Sequence, residues 1–97
     1  MKPKTISIVI PTHNRVRMLQ RLLKSVDALE LAPDEVIIIN DGSSDQTHNF
    51  LKEWKKNNHN FISIVLNKSK SQGPGAARNM GIQLASSDAI AFTDDDC

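Results

Sequence analysis

Charge of one sign is missing from this chain. Twelve lysines and arginines face eleven aspartates and glutamates, for a formal net charge of +1. No global field draws in nucleic acid or an anionic membrane. Cysteine is nearly absent: Cys97 stands alone, which excludes an internal disulfide and fits a reducing compartment. No apolar run is long enough to cross a bilayer. Met1-Lys2-Pro3-Lys4 leads straight into a strand-like stretch too short for a signal-peptide core. The expectation is a cytoplasmic protein, with the membrane surface open to a full-length form. There is no internal repeat, low-complexity tract or linker. At 97 residues, the sequence fits one small domain, spanning 1–97, with a modest core.

Four short apolar runs are present: Thr5 to Ile10, Glu35 to Ile39, Phe61 to Leu66 and Ala89 to Phe92. Val36-Ile37-Ile38-Ile39 is continuous rather than alternating, as in a strand buried on both faces. Helical spacing separates the runs. Val16, Leu19, Leu22, Leu23, Val26 and Leu29 share one face of a first helix, with Arg17, Arg21 and Lys24 opposite. Ser43 with Gln46 has the spacing of a capping box for a second helix, whose apolar face is Phe50, Leu51 and Trp54. Ala76, Ala77, Met80 and Leu84 predict a third helix after Gly73-Pro74-Gly75. Lys55 to Asn60 and Asn67 to Gln72 read as polar loops. Strands alternating with helices define an α/β fold with a doubly wound parallel sheet. The expected strand order is 3-2-1-4, Rossmann-like, with helices on both faces. Ligands of such sheets bind beyond the carboxyl ends of the strands, near the reversal of winding.

A polar cluster follows every strand: Pro11-Thr12-His13-Asn14-Arg15, Asn40 to Asp45, Lys68 to Asn79, and Asp94-Asp95-Asp96. A parallel sheet brings all four to one edge, and this convergence outweighs any single motif. Each of the first three also has a purely structural reading. Asp41-Gly42-Ser43-Ser44-Asp45 makes a turn and helix start by itself. Thr12 and Asn14 suit the cap of the first helix, and Arg78 suits a solvated helix face. His13, His48 and His59 share no metal-ligand spacing and read as surface or loop residues. Lys68 and Lys70 read as a wet loop able to face a phosphate, and Trp54 reads as core. Gly73-Pro74-Gly75 lacks the Gly-Lys-Ser/Thr ending of a P-loop. The three aspartates differ. Clustered carboxylates raise one another's pKa, and at the end of a buried strand they need a cation. Oxygen-only ligands suit Mg²⁺ or Mn²⁺.

Four motifs occur in order: Ile8-Val9-Ile10-Pro11-Thr12-His13-Asn14-Arg15, Val36 to Asp45, Gly75-Ala76-Ala77-Arg78-Asn79-Met80-Gly81 and Phe92-Thr93-Asp94-Asp95-Asp96. Together they resemble the nucleotide-binding half of the family 2 inverting glycosyltransferases, which have the GT-A fold. The resemblance covers essentially the whole chain. It implies an NDP-sugar donor, a UDP-sugar by preference, bound by Pro11, Thr12, Asn14, Asp41, Arg78, Asp94 and Asp95. Thr12 and Asp41 would lie against the base, with Asp41 accepting from the uracil ring and Arg78 closing over that end. Asp94 and Asp95 would lie near the ribose and the sugar-phosphate. Asp96, the last acid of the Asp-x-Asp pattern, would hold Mn²⁺ or Mg²⁺. His13 stands where the family commonly has an aromatic such as tyrosine, and Asn40 replaces the first of a frequent Asp-Asp pair. The family's acceptor site and catalytic base lie beyond the metal motif. The chain therefore reads as a donor-binding portion truncated after Asp-x-Asp, inactive alone and prone to self-association through uncovered edges.

Two other functions fit the fold class. A sugar-nucleotide pyrophosphorylase would carry a glycine-rich basic loop after the first strand, which Pro11-Thr12-His13-Asn14 does not supply. A receiver-like or other non-catalytic binding module would place its acids after strands one and three, whereas here they follow strands two and four.

Overall fold

A computed structural model describes residues 4–57 and 59–94. The elements are β1 (Ile6–Thr12), α1 (Val16–Asp27), β2 (Glu35–Asp41), α2 (Thr47–Lys56), β3 (Ile62–Lys68), α3 (Pro74–Leu84) and β4 (Ala89–Phe92). The strands form one parallel sheet in the order β3-β2-β1-β4, as the sequence implied. Central β2 is buried along its whole length, in line with its unbroken apolar run.

Alternation along the strands divides the core in two. Ile10, Val36 and Ile38 face α1 and α2, where they meet Leu19, Leu23, Val26, Leu51 and Trp54. Val9, Ile37 and Ile39 face the other way, onto Ala77 of α3 with Met80 at its margin. This second layer is thin because α3 approaches through small residues. Ala77 and Gly81 are its buried positions, whereas Leu84, expected on the apolar face, is exposed. A Cβ at Gly81 would overlap the Val9 side chain, so glycine sets how closely α3 sits on β1.

Several local expectations are corrected. Strands β1, β2 and β3 run on into the polar clusters, because the ladder continues through Thr12↔Asn40 and Asp41↔Lys68. Leu29 lies beyond the end of α1 and is exposed. The Ser43–Gln46 capping box does not form, since α2 begins at Thr47. Asp45 opens that helix instead, accepting from the Thr47 amide and hydroxyl, while Ser43 Oγ accepts from Asn14 N. Neither Thr12 nor Asn14 caps α1. Asp45 reaches across to accept from Val16 N, at 3.2 Å. Strand β4 is not buried: it forms an edge of the sheet, and Phe92 is 45% exposed.

His59 lies in the loop between α2 and β3, as read, but is not at the surface. Its side chain is buried between Trp54 and Phe61, with ring centroids 4.4 and 5.0 Å away. Its Nδ1 lies 3.1 Å from Asp27 Oδ1 and its Nε2 2.9 Å from the Trp54 carbonyl. At the amino edge of the sheet, Glu35 accepts from Ser7 Oγ, Ser86 N and Ser86 Oγ. Burial alone would raise its pKa, but these bonds together hold it below the usual value.

Replacing Gly81 by alanine should destabilise the fold by about 1–3 kcal/mol through overpacking against Val9. The Val9→Ala change should recover part of that loss in the double variant, since it removes the overlapping methyl groups. Urea unfolding of both single variants and the double variant measures the coupling. Additive effects would show that α3 does not rest on β1 through this contact.

Candidate functional site

The carboxyl ends of β1 and β2, the start of α3 and the residues after β4 enclose a cavity of about 310 Å³. Pro11, Thr12, Asp41, Ser71, Arg78 and Asp94 are among the residues lining it. Five of these were expected from the sequence at the site, and Ser71 was not. Arg78 Nη2 donates to Asp94 Oδ1 at 3.3 Å, which joins α3 to the end of β4 across the cavity mouth. Both side chains are partly exposed, so this pair contributes little to stability.

Asp41 is the buried centre of the site. Its Oδ2 accepts from Ser71 Oγ and Gly73 N, each at 2.9 Å. Its Oδ1 accepts from Gln72 N at 3.0 Å and lies 3.4 Å from Lys68 Nζ. Lys68 is therefore no wet-loop residue. Its side chain is 7% exposed, held between Asp41 and Gln72 Oε1. Parallel register places it there, as Asp41 and Lys68 are direct partners across β2 and β3. Burial pushes the Asp41 pKa up, and the bonds from Gln72, Ser71, Gly73 and Lys68 outweigh it, leaving the carboxyl below its ordinary value.

The loop that reaches Asp41 is closely fitted. Gly73 has φ of 94° and precedes Pro74, the first residue of α3; Gly73 O accepts from Ala77 N. Gly42 has φ of 67°, and a Cβ there would collide with the main chain at Ser71. Glycine is required at position 42 on both counts.

Asn14 does not line the cavity. It sits at φ of 53° and its Oδ1 accepts from Ser44 N at 2.6 Å and Asp45 N at 3.2 Å, bracing the loop after β2. His13 is an exposed loop residue, as read from the sequence, and it also lines the cavity. Its Nδ1 donates to the Asp41 carbonyl at 2.6 Å, and its Nε2 accepts from Asn14 Nδ2. Asn40 donates through Nδ2 to Asn67 Oδ1, a bond that an ionised aspartate there could not donate. Asp95 and Asp96 lie outside the described residues. Among the described residues, no three His, Cys, Asp or Glu side chains come together as a metal site. Asp94 supplies an oxygen ligand of the type Mg²⁺ and Mn²⁺ take, at the cavity wall. No described helix is long and apolar enough to cross a membrane.

A parallel sheet in the order β3-β2-β1-β4, with its strand ends converging on one cavity, is an α/β domain of GT-A type. The chain belongs to glycosyl transferase family 2, whose family model matches residues 7–97. It is 33% identical over 91 residues to a GalNAc(5)-diNAcBac-PP-undecaprenol beta-1,3-glucosyltransferase of Campylobacter jejuni, covering 94% of this chain and 29% of that protein. It superposes with a TM-score of 0.87 on the mannosyltransferase PcManGT of Pyrobaculum calidifontis, in complex with GDP-Man and Mn²⁺. That match is 18% identical and covers 98% of this chain and 28% of the other. S. aureus TarS 1-349 in complex with UDP gives a TM-score of 0.82 at 26% identity, covering 95% of this chain and 27% of the other. The chain thus spans under a third of each of these proteins. Membership of this family sets aside the pyrophosphorylase and receiver-like alternatives.

Asp41→Asn should cost about 2–3 kcal/mol at neutral pH, because donors that met a carboxylate meet an amide. A carboxyl with a lowered folded pKa stabilises fully above its unfolded value, near 3.8, and loses that contribution as pH falls through the folded value. The gap between wild type and Asp41→Asn should therefore narrow below about pH 4. Chemical denaturation across pH 2–7 checks it, and a gap independent of pH would show that Asp41 carries no stabilising charge.

Proposed function

We propose that this chain is the donor-binding portion of a metal-dependent, inverting glycosyltransferase that uses an NDP-sugar, and a UDP-sugar by preference. The observation that carries the reading is Asp41, a buried group that only accepts, opening on a cavity with Thr12 and Arg78. Such a carboxylate selects a base edge that presents an N–H, as uracil does, and rejects one that presents a lone pair. Pro11 and Thr12 form the adjoining wall, and Arg78 closes over the base end. Asn14 serves from behind by fixing the loop after β2. Asp94 and Asp95 take the ribose and sugar-phosphate side. The nucleotides held by the two structural neighbours, UDP and GDP-Man, support a nucleotide in this cleft.

Asp96 would hold Mn²⁺ or Mg²⁺, which when bound neutralises charge on the departing diphosphate. Inversion follows from a single displacement by an acceptor hydroxyl, deprotonated by a base that none of these residues supplies. Sugar transfer is accordingly proposed for the full-length protein, with an acceptor of unspecified chemistry, and not for these residues alone. A cytoplasmic setting fits a nucleotide-sugar substrate. The β4 edge with exposed Phe92, and the exposed Ile82 and Leu84 of α3, support self-association of the 97-residue chain.

Calorimetric titration with UDP in the presence of Mn²⁺ tests the reading. Asp41→Ala and Arg78→Ala should each weaken binding by roughly 1–3 kcal/mol. Asp96→Asn should remove the tightening of UDP by Mn²⁺, and reciprocally that of Mn²⁺ by UDP. Unchanged UDP affinity in Asp41→Ala would remove Asp41 from the site.

A further inference from the structure

We infer that the Ser71 hydroxyl is a placeholder on Asp41, occupying the acceptor position that the N–H of a nucleotide base takes on binding. The inference rests on the donor-site reading above and adds the step by which the site opens. A carboxylate offers about four acceptor positions. Among the described residues, four protein donors face Asp41: Lys68 Nζ and Gln72 N at Oδ1, and Ser71 Oγ and Gly73 N at Oδ2. A base N–H meets a saturated group unless one donor leaves.

Three of the four are poorly placed to leave. Gln72 N and Gly73 N are main-chain donors. Gly73 opens α3 through its carbonyl bond to Ala77 N, and Gly42 abuts the main chain at Ser71. Moving either amide means moving the helix start. Lys68 is held beside Asp41 by strand register, bonds Gln72 Oε1 at 2.6 Å, and is not among the residues that line the cavity. Ser71 combines all the properties the exchange needs. It lines the same cavity as Asp41, its residue is exposed, and one rotation about χ1 withdraws its hydroxyl with no change in the main chain.

The swap has a consequence of unusual sign. Wild type gives up a hydrogen bond when the base arrives, whereas Ser71→Ala has none to give up. Removing this polar side chain from the site should therefore tighten nucleotide binding, by about fivefold for an ordinary net hydrogen bond. Ser71→Thr keeps the hydroxyl and should stay close to wild type.

The experiment is titration of the chain with UDP and, separately, GDP, with Mg²⁺ present, on wild type, Ser71→Ala, Ser71→Thr and Asp41→Ala. Tighter binding by Ser71→Ala, wild-type binding by Ser71→Thr and loss in Asp41→Ala is the expected result. Equal or weaker binding by Ser71→Ala, with binding still lost in Asp41→Ala, overturns the placeholder role and leaves the donor-site reading standing. Wild-type affinity in Asp41→Ala, or no binding of either nucleotide by any form, overturns both. Denaturation midpoints of the same variants show that each is folded, since Ser71→Ala leaves three donors on Asp41.

Discussion

Asp41 and the donors gathered on it are the interaction on which the rest of this site depends. One carboxylate at the end of the central strand fixes the β3–α3 connection through two amides and a hydroxyl, and the neighbouring strand through Lys68. The bonds are charge-assisted and buried, so each is stronger than a neutral pair at the surface. Remove the charge and the start of α3 loses its anchor, and with it the wall that carries Arg78. The same carboxylate is therefore part of the fold and, in the proposed function, part of recognition.

The sheet makes this economy available. Parallel strands deliver their carboxyl ends to one edge, and the order β3-β2-β1-β4 puts the reversal of winding between β1 and β4, next to the cavity. Helices α1 and α2 seal one face with large side chains, while α3 seals the other with Ala77 and Gly81. Close seating of α3 brings its N-terminal half, and thus Arg78, to the cavity at the strand ends. Asp45 and Asn14 tie the loops after β1 and β2 to each other beside the wall formed by Pro11 and Thr12.

Much of this was legible in the sequence because it depends on periodicity. The unbroken Val36–Ile39 run marked a central strand, and the polar clusters after the strands marked the edge where the cavity lies. What was not legible depends on register and on distant approach. Lys68 looked solvated because a lysine in a polar stretch usually is, yet parallel pairing with Asp41 buries it. A strand extended through its polar residues would have signalled that. Gly81 looked like an ordinary helix residue, and its role appears only when α3 meets Val9. Asp45 displaced the expected capping box because its reach spans two helices that lie far apart in sequence. His59 lies in a loop as read, but its burial was not legible for a similar reason: its partners come from the ends of α1 and α2.

The central claim is that the cavity at the strand ends is a nucleotide site centred on Asp41. Amide chemical-shift mapping of the ¹⁵N-labelled chain, titrated with UDP and Mg²⁺, tests it most directly. The expected result is a set of saturable shifts confined to Thr12, Asp41, the amides of Ser71, Gln72 and Gly73, and Arg78. Shifts concentrated instead in the groove between α1 and α2, around Arg17, Lys24 and Phe50, or no shifts at millimolar UDP, would contradict it.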